Sequence, residues 1–262
     1  MERLNKKTVI ITGAARGLGK FMAGRLLSEG CNVVICDINE GDLEKTLIEL
    51  KTKNKNTITG QVTDITCEKQ VKKLVEFTLE KYERVDFLIA NAGVSFSTPL
   101  HDIDLETWKK IIEINLFGYF LCAREVSKAM IPNNYGAIVQ INSRTGKKGS
   151  PKNSAYAASK GGGIVLTQSL SAELAEFNIR VNCVCPGPMF ESDLWQKVLF
   201  EDYSKRFKIS VEEVRKKYIE EIPLKRDTKY ADVANLVVFL LSDESDYITG
   251  QAINVSGGTI VW

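Results

Sequence analysis

"TVIITGAARGLGK" (residues 8–20) decides how the rest of the chain is read. Thr8–Thr12 is an apolar, β-branched run without polar alternation, the pattern of a strand covered on both faces. Gly13, Gly17 and Gly19 follow, and the residues from Gly17 to Glu29 read as a helix. A strand that turns through glycines into a helix gathers free backbone N–H groups and the positive end of a helix dipole at one point. That arrangement suits a pyrophosphate. The spacing G-x-x-x-G-x-G is not the commoner G-x-G-x-x-G, but it meets the same need for a tight turn and close backbone approach.

The same rhythm continues outward. Strands are predicted over Asn32–Asp37, 57–61, 86–91, 136–142, 179–187 and 251–258. Helices are predicted near 42–51, Glu68–Tyr82, 105–130, from Ser154 onward, and 231–241, with a polar turn at 51–56. Unalternating apolar strands separated by helices imply an α/β fold: a doubly wound parallel sheet (Rossmann fold) of about seven strands with helices on both faces. A single domain spanning 1–262 is expected. Residues 189–223 break the rhythm. They are charged, with Trp195, Val198, Leu199, Tyr203, Phe207, Val211, Val214, Tyr218 and Ile222 at roughly helical spacing. This reads as a helical insertion forming a substrate lid above the carboxyl edge of the sheet, where open α/β sheets bind ligands.

Composition narrows the functions. The chain has 262 residues, 44% of them hydrophobic, and a net charge of +2, which gives no electrostatic reason to expect nucleic acid or an anionic membrane as partner. Its six cysteines include no C-x-x-C pair, and His101 is the one histidine, so no metal site is expected and the thiols read as free in a reducing compartment. The first residues hold too short an apolar run for a signal peptide or a membrane span, so a cytoplasmic protein is expected.

Two further signals bear on the ligand. Asp37 ends the second strand, where a carboxylate can accept from ribose hydroxyls and would repel a 2′-phosphate; NAD is therefore expected over NADP. Arg16 in the glycine loop pulls the other way, since it could pair with that phosphate. Asn91, Ala92 and Gly93 form a second small-residue turn at the end of the fourth strand.

"SAYAASKGGGIVL" (residues 154–166) carries the chemistry. Tyr156 and Lys160 share one helix face, and an ammonium beside a phenol favours the phenolate, so the pair suits acid/base work on a hydroxyl or carbonyl. Ser143, leaving the fifth strand, could hold the reacting oxygen. Asn115, inside the long helix, could hold a water for proton relay. Gly161, Gly162 and Gly163 are costly in a helix, by about 1 kcal/mol each relative to alanine.

Taken in order, T-G-x-x-x-G-x-G, N-A-G, Asn115, Ser143, Y-x-x-x-K and Pro186–Gly187 resemble the short-chain dehydrogenase/reductase family over essentially the whole chain. The resemblance implies Tyr156 as acid/base, Lys160 on the nicotinamide ribose, Ser143 on the substrate oxygen and Asn115 in the relay. It implies that Gly13, Arg16, Gly17, Leu18, Gly19, Asp37, Asp64, Ile65, Asn91, Ala92, Gly93, Tyr156, Lys160, Pro186 and Gly187 border NAD. It also implies a homotetramer, in which the glycine triplet would let the Tyr–Lys helix pack closely on a neighbouring subunit. "GYFLCARE", "QINSRTGKKGS" and "TGQAINVSGG" are most similar to polyol-phosphate members of the family. A sugar or polyol phosphate is therefore the expected substrate. Arg144 and Lys148 are the first candidates for its phosphate, with Lys147, Lys225 and Arg226 behind them. Another polyol, a steroid or a 3-oxoacyl compound is the alternative substrate, and a non-catalytic NAD-binding regulator the alternative class.

Overall fold

The structure is a computed structural model that describes residues 4–51 and 57–262. Strands β1 (Thr8–Thr12), β2 (Asn32–Asp37), β3 (Ile58–Val62), β4 (Phe87–Ala90), β5 (Gly136–Ile141), β6 (Ile179–Pro186) and β7 (Ala252–Val255) form one sheet. Its order is β3-β2-β1-β4-β5-β6-β7, parallel throughout. Every residue of β1 is buried, as its unalternating sequence requires. Val9 and Ile11 pack on one face, against α1 (Gly17–Ser28), α2 (Glu40–Lys51) and α10 (Tyr230–Leu241). Ile10 packs on the other, against α3 (Glu68–Tyr82), α5 (Gly118–Met130) and α7 (Ser154–Leu174). The winding reverses between β1 and β4, so the loops that leave these two strands flank the crevice where doubly wound sheets bind ligands. Of the polar turn expected at 51–56, residues 52–56 lie outside the described ones.

The helix expected at 105–130 is interrupted. α4 (Leu105–Ile112) and α5 are joined by one π turn, Glu113–Phe117, in which the Gly118 N–H bonds back to the Glu113 carbonyl. Such widened turns gather at functional sites. Here the turn holds Asn115, buried at 1% exposure, facing the loop after β4. A second departure is a short helix α6 (Arg144–Lys147) in what reads as loop. The Ser143 hydroxyl caps it by accepting from the Thr145 N–H at 3.1 Å.

Two glycines of the triplet have reasons within the chain. A Cβ on Gly163 would lie 2.6 Å from Gln140 Nε2, and one on Gly162 would lie 3.0 Å from Leu116 Cδ2 of the π turn. Helix α7 lies so close to β5 and the π turn that a side chain at either position would displace it. Gly161 has no such reason within the chain, since a Cβ there would meet only the Gly146 carbonyl oxygen, at 3.4 Å.

Residues 189–223 are helical, as expected. A π turn (Trp195–Leu199), α8 (Phe200–Phe207) and α9 (Val211–Glu221) enclose a small core of Phe190, Trp195, Phe200 and Val214. A capping box at Ser210 and Glu213 starts α9.

Candidate active site

The nucleotide end of the crevice is held by backbone contacts. The Asn91 amide donates to the carbonyls of Thr12 (3.0 Å) and Gly13 (2.8 Å), and the Thr12 hydroxyl accepts from the Asn91 and Ala92 N–H groups, both at 3.1 Å. The loops after β1 and β4 are thus one unit. Gly13 has φ +62°, and a Cβ there would lie 2.7 Å from Ala92 Cα, so close approach and conformation both require glycine. Helix α1 starts without a side-chain cap and with no acidic residue in its first turn. Its free N–H groups therefore fit a phosphate. Leu18 and Gly19 are buried beneath it, and Gly17 opens the helix.

Asp37 ends β2 with its carboxylate oriented by two N–H donors, Ala15 and Asn39, each at 3.1 Å. The Arg16 guanidinium lies 3.7 Å from Asp193 of the insertion. Asp64 follows β3 and is tied into a local turn, its Oδ1 accepting from the Thr66 N–H (2.9 Å) and hydroxyl (2.7 Å); Ile65 is buried beside it. At the far end, Pro186 closes β6, and the Gly187 N–H donates to the Val255 carbonyl at 2.9 Å.

Ser143, Tyr156 and Lys160 come together where β5 ends against α7. Lys160 is buried, and its Nζ donates to the Ile141 carbonyl at 2.9 Å. Burial lowers its pKa to about 8. Burial also raises the Tyr156 phenol above its ordinary value, while the adjacent Ser143 hydroxyl acts in the opposite direction and less. The ammonium expected to favour the phenolate stands on the same helix face. Nζ lies 5.8 Å from the Tyr156 ring centroid, and burial is the larger effect. Burial thus favours the neutral phenol, the form that donates a proton. The Asn115 side chain is engaged within the chain. Its Oδ1 accepts from the Val94 N–H at 2.8 Å, and its Nδ2 donates to the Val94 carbonyl (2.9 Å) and the Ser159 hydroxyl (3.0 Å). Both amide hydrogens are spent on the protein, so the side chain fixes the loop after β4 against α7.

Beside this cluster lies a cavity of about 460 Å³, lined by Ser143 and Tyr156, by Arg144 and Lys148, and on the insertion side by Trp195, Tyr203, Tyr218 and Glu221. Arg144 is half-buried, and among the described residues its guanidinium has no ion pair with a carboxylate. The other cations expected near it are engaged elsewhere. Lys147 Nζ donates to the Trp262 carbonyl (2.6 Å), Lys225 Nζ to the Glu220 carbonyl (2.8 Å), and Arg226 forms a bidentate pair with Asp232. Both strand-end clusters are legible in the sequence, whereas Tyr203 and Tyr218 of the cavity wall are not marked there as site residues. Their spacing marked helices without marking which face would meet Ser143.

A glycine loop at a helix start, a carboxylate at the end of β2 and a Ser–Tyr–Lys cluster at the carboxyl edge of a doubly wound sheet define a dinucleotide-dependent oxidoreductase. The chain belongs to the short chain dehydrogenase family, whose pattern matches residues 7–201. Its relatives are oxidoreductases acting on CH–OH groups. It is 37% identical to sorbitol-6-phosphate 2-dehydrogenase of Escherichia coli, over 99% of this chain and 100% of that one. It is 36% identical to a 3-oxoacyl-(acyl-carrier-protein) reductase of Thermotoga maritima, over 99% and 100%. Among solved structures, sorbitol-6-phosphate 2-dehydrogenase of Erwinia amylovora superposes with a TM-score of 0.94 at 37% identity, covering 97% of this chain and 100% of that one. Among the described residues no helix is long and apolar enough to cross a membrane.

Proposed function

We propose that this protein interconverts sorbitol 6-phosphate and fructose 6-phosphate with NAD, as a cytoplasmic homotetramer. The observation that carries the substrate is Arg144. It directly follows Ser143, is half-buried without a carboxylate partner, and lines the cavity that Tyr156 also lines. A planar guanidinium can give a phosphate two parallel hydrogen bonds, and Lys148 adds a second charge at the same wall. The likeness to two sorbitol-6-phosphate dehydrogenases agrees with this reading.

Bound NAD supplies hydride exchange with the carbinol carbon. In polyol oxidation Tyr156 would act as the phenolate, which the Lys160 ammonium and the positive charge of an oxidised nicotinamide favour, and take the hydroxyl proton while Ser143 holds the same oxygen. In ketone reduction Tyr156 returns the proton, for which its neutral form is suited. Lys160 holds the nicotinamide ribose and supplies positive charge near Tyr156. Gly13, Gly17, Leu18 and Gly19 hold the pyrophosphate. Asp37 accepts from the adenosine ribose, with Asp64 and Ile65 at the adenine and Asn91, Ala92, Gly93, Pro186 and Gly187 along the nicotinamide half. Two features support NAD over NADP: the Asp37 carboxylate, and the engagement of Arg16 by Asp193. Residues 189–223 act as the lid on a single catalytic domain. Exposed apolar side chains on α4, the π turn and α7 (Leu105, Phe117 and Val165) support burial against another copy.

A substrate panel followed at 340 nm tests this reading. Sorbitol 6-phosphate, sorbitol, xylitol, a steroid alcohol and, in reduction, fructose 6-phosphate and a 3-oxoacyl thioester are each run with both coenzymes. The expected result is preference for the phosphorylated pair and for NAD. Faster turnover of the thioester with NADPH would replace the proposal with a biosynthetic reductase.

A further inference from the structure

Three consecutive residues at the end of β5 meet α7 in three ways. The Ile141 carbonyl accepts from Lys160 Nζ at 2.9 Å. The Asn142 Nδ2 donates to the Lys160 carbonyl at 3.0 Å. The Ser143 hydroxyl faces the Tyr156 hydroxyl. Asn142 is 4% exposed, and its amide is engaged at both ends. Nδ2 also donates to Gln140 Oε1 at 2.8 Å, and Oδ1 accepts from the Ser143 N–H at 2.8 Å. Its own N–H donates to the Val184 carbonyl of β6 at 2.8 Å. One side chain therefore ties the backbone of Ser143 to the backbone of Lys160. Space has been cleared around it on two sides. A Cβ on Gly146 would lie 2.6 Å from Asn142 Oδ1 and 2.8 Å from the Lys160 carbonyl carbon; one on Gly163 would lie 3.0 Å from Asn142 Nδ2.

We propose that Asn142 is a positioning residue: its amide sets the spacing between Ser143 and the Tyr156–Lys160 pair, and thereby controls turnover without touching the substrate. The inference rests on the roles proposed above for those three residues. α7 also meets the sheet through apolar packing such as Leu174, which is non-directional and sets no fixed distance between polar groups. A displacement of about 1 Å at a reacting centre costs on the order of 10² in rate. A primary amide can offer an N–H to one carbonyl and an oxygen to one N–H at the same time; an ionised carboxylate of the same shape can only accept. Asn142→Asp would keep the Ser143 contact and set an oxygen against the Lys160 carbonyl and Gln140 Oε1.

The test compares Asn142→Ala, Asn142→Asp, Gln140→Leu and Tyr156→Phe, assayed with whichever compound of the panel the wild type turns over fastest. Melting curves and coenzyme binding, read by tryptophan fluorescence, are measured alongside. Both Asn142 variants are expected to lose about tenfold or more in kcat, with coenzyme Kd changed by no more than about threefold. The pH midpoint of kcat should move in Asn142→Ala. Gln140→Leu leaves the bridge from Ser143 to Lys160 in place and is expected to lower Tm while keeping kcat within about threefold. Folded Asn142→Ala or Asn142→Asp with wild-type kcat and pH profile overturns the positioning role; should one fail to fold, the other decides. Inactive Tyr156→Phe beside fully active Asn142→Ala overturns this inference alone. Active Tyr156→Phe overturns the reading beneath it.

Discussion

At the nucleotide end, Thr12, Gly13, Asn91 and Ala92 hold one another through main-chain atoms and two short side chains. At the substrate end, the insertion is held by rings. Phe190 and Trp195 lie 4.7 Å apart between centroids, Trp195 and Tyr218 4.9 Å, and Tyr203 stacks on Tyr218 at 5.4 Å. The first construction fixes a ligand shape common to many reactions. The second is a separate small core whose outer rings form the cavity wall, so it can be rebuilt without disturbing the sheet. In the proposed function, one end holds the coenzyme and the other selects what is turned over. Arg144 and Ser143 stand at the join between them.

The comparison is broken first at the join. Tyr156→Phe removes the proton carrier and leaves both ends intact. Acid/base groups contribute about 10²–10⁴-fold, so kcat should fall at least a hundredfold with coenzyme Kd unchanged, as read by single-turnover assay and fluorescence titration. Turnover at the wild-type rate would place the chemistry elsewhere.

The nucleotide end is expected to tolerate little. Gly13→Ala forces a Cβ to within 2.7 Å of Ala92 Cα at φ +62°. Backbone strain of this kind costs about 1–3 kcal/mol. The expected outcome is a tenfold or greater loss of coenzyme affinity by calorimetry, together with a lower Tm. Tyr218→Phe at the substrate end should leave coenzyme affinity unchanged and alter only KM for the substrate. Equal effects of the two substitutions on coenzyme binding would dissolve the contrast.

The smallest effect concerns stability. Burial lowers the pKa of Lys160 from 10.5 to about 8, so at pH 7 the folded chain carries a buried charge that the unfolded chain keeps in water. Lys160→Met removes that cost along with activity. Its Tm at pH 7 should lie above the wild type by about 2–4 °C. The sign follows from the depressed pKa: the cost is full below pH 8 and is relieved as pH rises from 8 toward 10.5, so the gap should narrow across that window. A gap that widens with pH would mean that Lys160 is stabilised as a cation in the fold.

Much of the nucleotide end was legible because backbone geometry restricts residue type at fixed spacing. Gly13 needs its positive φ, the Asn91 amide spans two carbonyls, and Asp37 must end a strand. The sheet was legible for a related reason: strands such as β1 and β5, buried throughout, are mostly apolar with no alternation of polar residues. The π turn at Asn115 was not, since its apolar period resembles that of a continuous α-helix and the Val94 groups that Asn115 bonds lie in another segment. Nor was the reason for Gly162 and Gly163, which depends on how closely α7 approaches Leu116 and Gln140. The cations also needed the fold. Arg144, Lys147 and Lys148 are neighbours in sequence, yet Lys147 is held by the Trp262 carbonyl while the other two line the cavity.

If the join between the two ends selects a phosphorylated polyol, the ratio of kcat/KM for sorbitol 6-phosphate over sorbitol reports it. The ratio is measured with NAD in wild type and in Arg144→Ala. A charge-assisted hydrogen bond contributes about 1.5–3 kcal/mol, so the wild-type ratio should exceed tenfold and should fall by about tenfold or more in the variant, mainly through KM for the phosphorylated substrate. A wild-type ratio near one, or a ratio unchanged by removing Arg144, would contradict the account.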